Sequence, residues 1–334
     1  MKILYTNPFG ESPHWNARMR RMVELLREEG HEVKELLVGG VGYSTRADNF
    51  RGMFKDAHDS FKPDVVITHG AMLASHIVQS YGKKIVVDLG SFDSSEYMIQ
   101  RSGYVSNYRE LMEMKKDVLF TRLDSQGIYQ REKFAVNGVK AVLTFEGLEY
   151  DFAKRIFPEA NVIAHSPFYV DAKRYPKLPF ELRENKIVAF AAKWGRKSKN
   201  GKFIFNFNNA AVNDMKRPEM VIWSVGHGGR WMNFMPHDDV MKVMGQVKVV
   251  LCPMITGNNM VIAEATLMGA NVIVQDAHPL NLYTSGEISF KLGGYEVQNC
   301  AKMVDKAFGG YYPPKNLIPD ERTQIRKLID ILKI

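Results

Sequence analysis

The sequence predicts an α/β protein made of two domains, each a parallel sheet covered by helices. Three observations lead there: apolar strand-like runs alternate with helix-period segments almost from end to end, a Pro-rich stretch interrupts that alternation, and 334 residues exceed one ordinary core and suit two. The runs are Lys2–Thr6, Glu32–Val38, Asp64–His69, Lys84–Leu89 and Lys140–Phe145, then Lys186–Ala192, Met220–Val225, Val247–Pro253 and Asn271–Gln275. Strand 1 turns at Pro8-Phe9-Gly10 and enters a helix from Trp15 to Glu29, where Met19, Met22, Val23 and Leu26 form an apolar stripe and Gly30 supplies the stop.

The interruption lies at Ser166–Asp171 and Tyr175-Pro176-Lys177-Leu178-Pro179, which have neither helical nor strand periodicity and read as a linker. The expected division is a first α/β domain over 1–165, a linker over 166–183, a second α/β domain over 184–312 and a C-terminal helix within 313–334. That last helix carries Ile325, Leu328, Ile329 and Leu332 at helical spacing and is able to pack on either domain, including back on the first.

Composition excludes several classes. With 45 % hydrophobic and 25 % charged residues the chain is neither disordered nor collagenous, and two cysteines make no disulfide scaffold. Cys252 and Cys300 sit in apolar runs and are expected to be buried. No apolar run approaches the roughly 20 residues of a membrane span, and the start lacks the basic, apolar and small-residue order of a secretory signal, so the expectation is a cytoplasmic protein, with peripheral membrane association left open. Forty-five Lys and Arg against 37 Asp and Glu give a net charge of +8, a balance that attracts polyanions.

In open parallel sheets ligands bind beyond the carboxyl ends of the strands, so strand ends supply the candidates. Asp88 closes the run Ile85-Val86-Val87, where a general base belongs, and His69 closes Val65-Val66-Ile67-Thr68. Gly10 and Glu11 lie in the loop before the first helix, where amides meet an anion or a sugar hydroxyl, and Asp93 follows Asp88 as a helix cap or an acceptor contact. The loop Lys193–Lys202 holds five cations and two glycines, a composition suited to a diphosphate. Gly226 and His227, in Gly-His-Gly-Gly-Arg, are placed to border a nucleotide base. The stretch Thr256-Gly257-Asn258-Asn259-Met260 leads into a helix whose apolar second turn is interrupted by Glu264, so its amides suit phosphates and the carboxylate suits the two hydroxyls of a ribose. There is no Gly-x-Gly-x-x-Gly after strand 1 and no phosphate loop ending in Gly-Lys-Ser/Thr.

The order of these parts resembles nucleotide-sugar glycosyltransferases of the GT-B fold, two Rossmann-like domains facing across a cleft, and in particular their large retaining family. The resemblance rests on Asp64–Gly70, Ser166–Tyr175, the Lys193–Lys202 loop and Pro253–Gly269 followed by Asn271-Val272-Ile273-Val274. That family carries two glutamates eight positions apart. Glu264 matches the second, which implies ribose binding, whereas Thr256 stands in place of the first. The family's diphosphate-binding Arg and Lys fall on Arg196 and on Lys199 or Lys202. A fainter resemblance, through Asp88 and through Asn258-Asn259 before Glu264, is to phage glucosyltransferases that modify hydroxymethylated DNA bases, and it implies an aspartate base and DNA as an alternative acceptor.

The expected activity is hexosyl transfer from a nucleoside-diphosphate sugar, a UDP-sugar first, to the hydroxyl of a carbohydrate or glycoconjugate. A sugar-nucleotide epimerase and a non-catalytic nucleotide-sugar binder are the alternatives. No tightly bound cofactor and no metal is implied, because no Asp-x-Asp pair lies near the candidate loops.

Overall fold

A computed structural model describes residues 1–7, 13–37, 47–89, 130–165, 168–194, 200–229, 232–253, 260–275, 282–290 and 295–334. The chain divides into two compact units, each built on one parallel sheet.

The first unit contains β1 (Lys2–Asn7), α1 (Pro13–Glu28), β2 (Glu32–Leu37), α2 (Ala47–Phe61), β3 (Val65–His69), α3 (Ala71–Tyr81), β4 (Ile85–Asp88), α4 (Gln130–Val136), β5 (Ala141–Thr144), α5 (Leu148–Ile156) and β6 (Val162–Ala164). Its strands run parallel in the order β2-β1-β3-β4-β5-β6. The stripe Met19, Met22, Val23 and Leu26 of α1 is buried against Ile3, Tyr5, Ile67 and Val86 of the sheet. Gly30 follows with φ +83°, the left-handed conformation that ends a helix without a Cβ penalty. Strand β6 escapes sequence reading because it is three residues long, too short for any periodicity to register.

The second unit holds β7 (Glu184–Lys193), α6 (Gly201–Asn209), β8 (Ile222–His227), α7 (His237–Met244), β9 (Val247–Cys252), α8 (Met260–Leu267), β10 (Asn271–Val274) and α9 (Glu296–Gly309). The strand order is β10-β9-β7-β8, again parallel throughout. Its core joins Ile187, Val249, Leu251 and Ile273 of the sheet to Phe203 and Phe207 of α6 and Val304 of α9. The outer edge of β8 is met by a side chain: the amide of Asn208 accepts from the Ile222 N–H at 2.7 Å and donates to its carbonyl at 3.1 Å. Both cysteines are buried, Cys252 at the end of β9 and Cys300 in α9, where desolvation pushes the Cys300 thiol well above its ordinary pKa. Among the described residues no helix is long and apolar enough to cross a membrane.

After the second unit the chain returns to the first. Residues Pro319–Ile334 belong to the first unit and form α10 (Glu321–Lys333), capped by the Asp320 carboxylate, which accepts from the Thr323 N–H at 3.0 Å. Ile325, Leu328, Ile329 and Leu332 bury their side chains in the core shared with α1. Around that apolar contact, Arg21 of α1 donates to Glu321, Arg322 pairs with Glu28, and Lys140 donates to the Leu332 carbonyl at 2.7 Å.

Buried Gln324 fastens the helix to the backbone just beyond β6. Its side-chain oxygen accepts from the Phe168 N–H at 2.8 Å, and its amide donates to the Phe168 and Pro319 carbonyls at 3.2 and 2.7 Å. Phe168 is itself buried, so an apolar replacement strands its N–H, while its carbonyl keeps the bond it accepts from the Val170 N–H at 2.9 Å. Gln324→Leu is therefore expected to cost about 1–3 kcal/mol, read as a lower urea midpoint for the first unit.

Candidate functional site

In the first unit a row of polar side chains closes the carboxyl edge of the sheet. Neighbouring strands β3 and β4 pair His69 with Asp88 in register, so side chains 19 residues apart in sequence stand side by side, with His69 Nδ1 3.3 Å from Asp88 Oδ2. Period-two alternation aims both to the face that carries Ile67 and Val86 in the core, one step beyond those residues. Asn7 follows Tyr5 on the same face of β1, and His165 follows Ile163 just past β6. All four are buried. The His165 ring and the buried Tyr169 hydroxyl hydrogen-bond at 2.9 Å.

In the second unit the candidate groups also gather at the carboxyl ends of the strands. Lys202 is exposed in the first turn of α6, after β7. Exposed His227 and buried Gly226 close β8. Gly226 has φ +125°, and a Cβ there would lie 1.6 Å from the Ala191 carbonyl oxygen, so no other residue fits. Trp194 is seated beside it, its indole N–H donating to the Val225 carbonyl at 3.0 Å and its backbone N–H to the His227 carbonyl at 3.0 Å. The Pro253 carbonyl beyond β9 accepts from Asn200 at 3.2 Å and from Gln275 at 2.8 Å, tying the approaches to α6, α8 and β10 together.

Glu264 is buried in the second turn of α8 beside Ile262, Ala263 and Ala265. A buried carboxylate needs a donor, and it has one that sequence reading missed: His237, first residue of α7, donates from Nε2 to Glu264 Oε1 at 2.8 Å. Desolvation alone would lower the His237 pKa, but the hydrogen bond to Glu264 and the charges of Glu264 and Asp238 outweigh it and hold the value above the ordinary one. Asp238 in turn accepts from the Tyr175 hydroxyl at 2.7 Å. That bond holds the Asp238 carboxyl below its usual range, while burial and the same carboxylate push the Tyr175 phenol up to about 12. The signal for His237 is Pro236-His237-Asp238-Asp239, a helix-start pattern with an acidic first turn, which marks the position of the histidine but not its partner.

Of the residues singled out from sequence, His69 and Asp88 are brought together in the first unit. Lys202, Gly226, His227, Met260 and Glu264 share the carboxyl edge of the second sheet. Gly10, Glu11, Asp93, Arg196, Lys199, Thr256, Gly257, Asn258 and Asn259 lie outside the described residues.

No protein-family model matches the chain, and no curated protein does. Solved structures do match it along its whole length. It is similar to sucrose-phosphate synthase from Thermosynechococcus elongatus, with TM-score 0.67 and 12 % identity over 100 % of this chain and 96 % of that one. It is also similar to UDP-GlcNAc 2-epimerase from Neisseria meningitidis bound to UDP-GlcNAc, with TM-score 0.59 and 12 % identity over 100 % of both chains. A third likeness is to an alpha-glucosyltransferase in complex with UDP and a 13-mer DNA, with TM-score 0.60 and 8 % identity over 100 % of this chain and 99 % of that one. At such identities the likeness is one of fold. The chain thus has the GT-B fold that nucleotide-sugar glycosyltransferases share with the related 2-epimerases.

Proposed function

We propose that the chain is a glycosyltransferase that moves a sugar from a nucleoside diphosphate, a UDP-sugar first, to a hydroxyl of a carbohydrate or glycoconjugate acceptor. The observation that carries this reading is the buried Asp88–His69 pair at the carboxyl edge of the first sheet. A carboxylate oriented by an imidazole is suited to general-base work, and Asn7 and His165 on the same face add polar groups for a hydroxyl-rich acceptor.

In the proposed reaction the acceptor oxygen attacks the anomeric carbon while its proton passes to Asp88. The bond from that carbon to the diphosphate oxygen breaks, and the nucleoside diphosphate leaves with the electron pair. Stabilising the charge that builds on the diphosphate is the larger demand. It falls to Arg196, Lys199, Lys202 and the amides from Thr256 to Met260. Glu264 takes the ribose, and Gly226 and His227 border the base. His69 orients Asp88 through its Nδ1–H.

A second reading, transfer to hydroxymethylated bases of DNA, is favoured by the net charge of +8 and by the neighbour crystallised with DNA. On that reading DNA binding falls steeply with added salt, because each phosphate contact releases a counterion.

The test is a donor screen read by mass spectrometry. Release of nucleoside diphosphate only when acceptor is added supports transfer, whereas interconversion of the free nucleotide sugar identifies an epimerase instead. Asp88→Asn is expected to lower turnover by about 10²–10⁴-fold while donor affinity measured by calorimetry stays close to that of the parent protein. Glu264→Ala is expected to do the reverse, weakening donor binding about tenfold or more with unchanged circular dichroism.

A further inference from the structure

We infer that His237 is a positioning residue for the nucleotide: it fixes the Glu264 carboxylate so that the second unit selects ribonucleoside over deoxyribonucleoside diphosphates. This rests on the reading of Glu264 as the ribose ligand and adds to it the group that makes Glu264 discriminating.

Glu264 is buried in an apolar turn, and among the described residues His237 alone donates to its side chain. An ionised carboxylate offers two oxygens and about four lone-pair sites. Nε2–H of His237 engages Oε1 at 2.8 Å, leaving Oε2 without a donor among the described residues. A carboxylate on a buried residue with one oxygen bonded and the other left for an incoming donor is matched by a ligand that brings hydroxyls, and a vicinal diol brings two. A ligand lacking one hydroxyl leaves the carboxylate undersatisfied in a desolvated place, which is the situation in which sites reject analogues most strongly.

The Glu264 carboxylate is also preorganised. A carboxylate on a flexible side chain accepts from many directions, but one held at one oxygen presents the other in a set direction. His237 is itself held. It follows Pro236, whose φ is −56°, and opens α7. Its neighbour Asp238 is bonded to the Tyr175 hydroxyl at 2.7 Å and lies 3.9 Å from Arg174. The first turn of α7 is thus fastened on one side to the segment that precedes β7 and on the other to α8. Among the described residues, the charged groups acting on the imidazole are Glu264 of α8 and Asp238 of its own helix, and Arg174, Tyr175 and Lys242 act on Asp238. Both carboxylates favour the imidazolium, so the Nε2 donor persists when the ring is charged.

The test compares UDP, GDP and ADP with their 2′-deoxy counterparts by isothermal titration calorimetry on the full chain and on His237→Ala, His237→Gln and Glu264→Gln. The parent protein is expected to prefer the ribonucleotide by about tenfold or more, the worth of a hydrogen bond to a charged group. His237→Ala should bring that ratio close to one, while His237→Gln, which keeps a side-chain N–H donor, should retain most of it. As a signature of the pair itself, the His237 ring should titrate by NMR above about 6.5, the unperturbed value, and its midpoint should fall in Glu264→Gln. Discrimination that survives intact in folded His237→Ala overturns the inference and leaves the nucleotide site standing. Failure of the parent protein to bind any of these nucleotides overturns both. Should His237→Ala not fold, the Gln variant and the NMR midpoint decide, and a midpoint indifferent to Glu264→Gln counts against the pair.

Discussion

Parallel pairing brings every strand of a sheet to its end at the same edge, and it is there that the following helices begin with their amides exposed. Both sheets of this protein obey that constraint, and their polar residues follow from it. In the first unit the buried runs of β1, β3 and β4 end in Asn7, His69 and Asp88. His69 and Asp88 meet because β3 and β4 are neighbours in a sheet whose crossover helix, α3, lies between them in sequence.

The second unit meets the same constraint with different means. Its edge is drawn together by backbone contacts that only small residues permit, above all Gly226 beneath Ala191, and by the Pro253 carbonyl shared between Asn200 and Gln275. Into that frame the sequence sets a carboxylate, Glu264, in an apolar helix turn. A charge so placed is stable only when hydrogen-bonded, and the donor comes from the neighbouring helix start rather than from solvent. The Tyr175–Asp238 bond extends the arrangement back to the segment that leads into β7.

Much of this was legible in the residues. Runs such as Val65-Val66-Ile67 and Val249-Val250-Leu251 announce buried parallel strands because no solvent face demands alternation, and the stripes of α1 and α10 announce their buried sides. The polar strand ends His69 and Asp88 were visible one at a time, but their adjacency depends on strand order, which sequence spacing does not carry. His237 was out of reach for a related reason: its role depends on a contact with a residue 27 positions away on another helix. Strand β6 lacks the length for a pattern, and β7 runs past its apolar stretch at both ends, from Glu184 to Lys193, because pairing with β8 and β9 continues through register irregularities that hydropathy does not mark.

The return of Pro319–Ile334 to the first unit has a consequence for how the protein is made. During translation the strands of the first sheet emerge early and can cover part of α1, but the share of that core supplied by α10 is missing until α10 leaves the ribosome, after every residue of the second sheet has done so. The unit that starts first therefore finishes last, and the nascent chain must carry an open hydrophobic surface through the synthesis of its other half, which is the interval in which a chaperone would matter most.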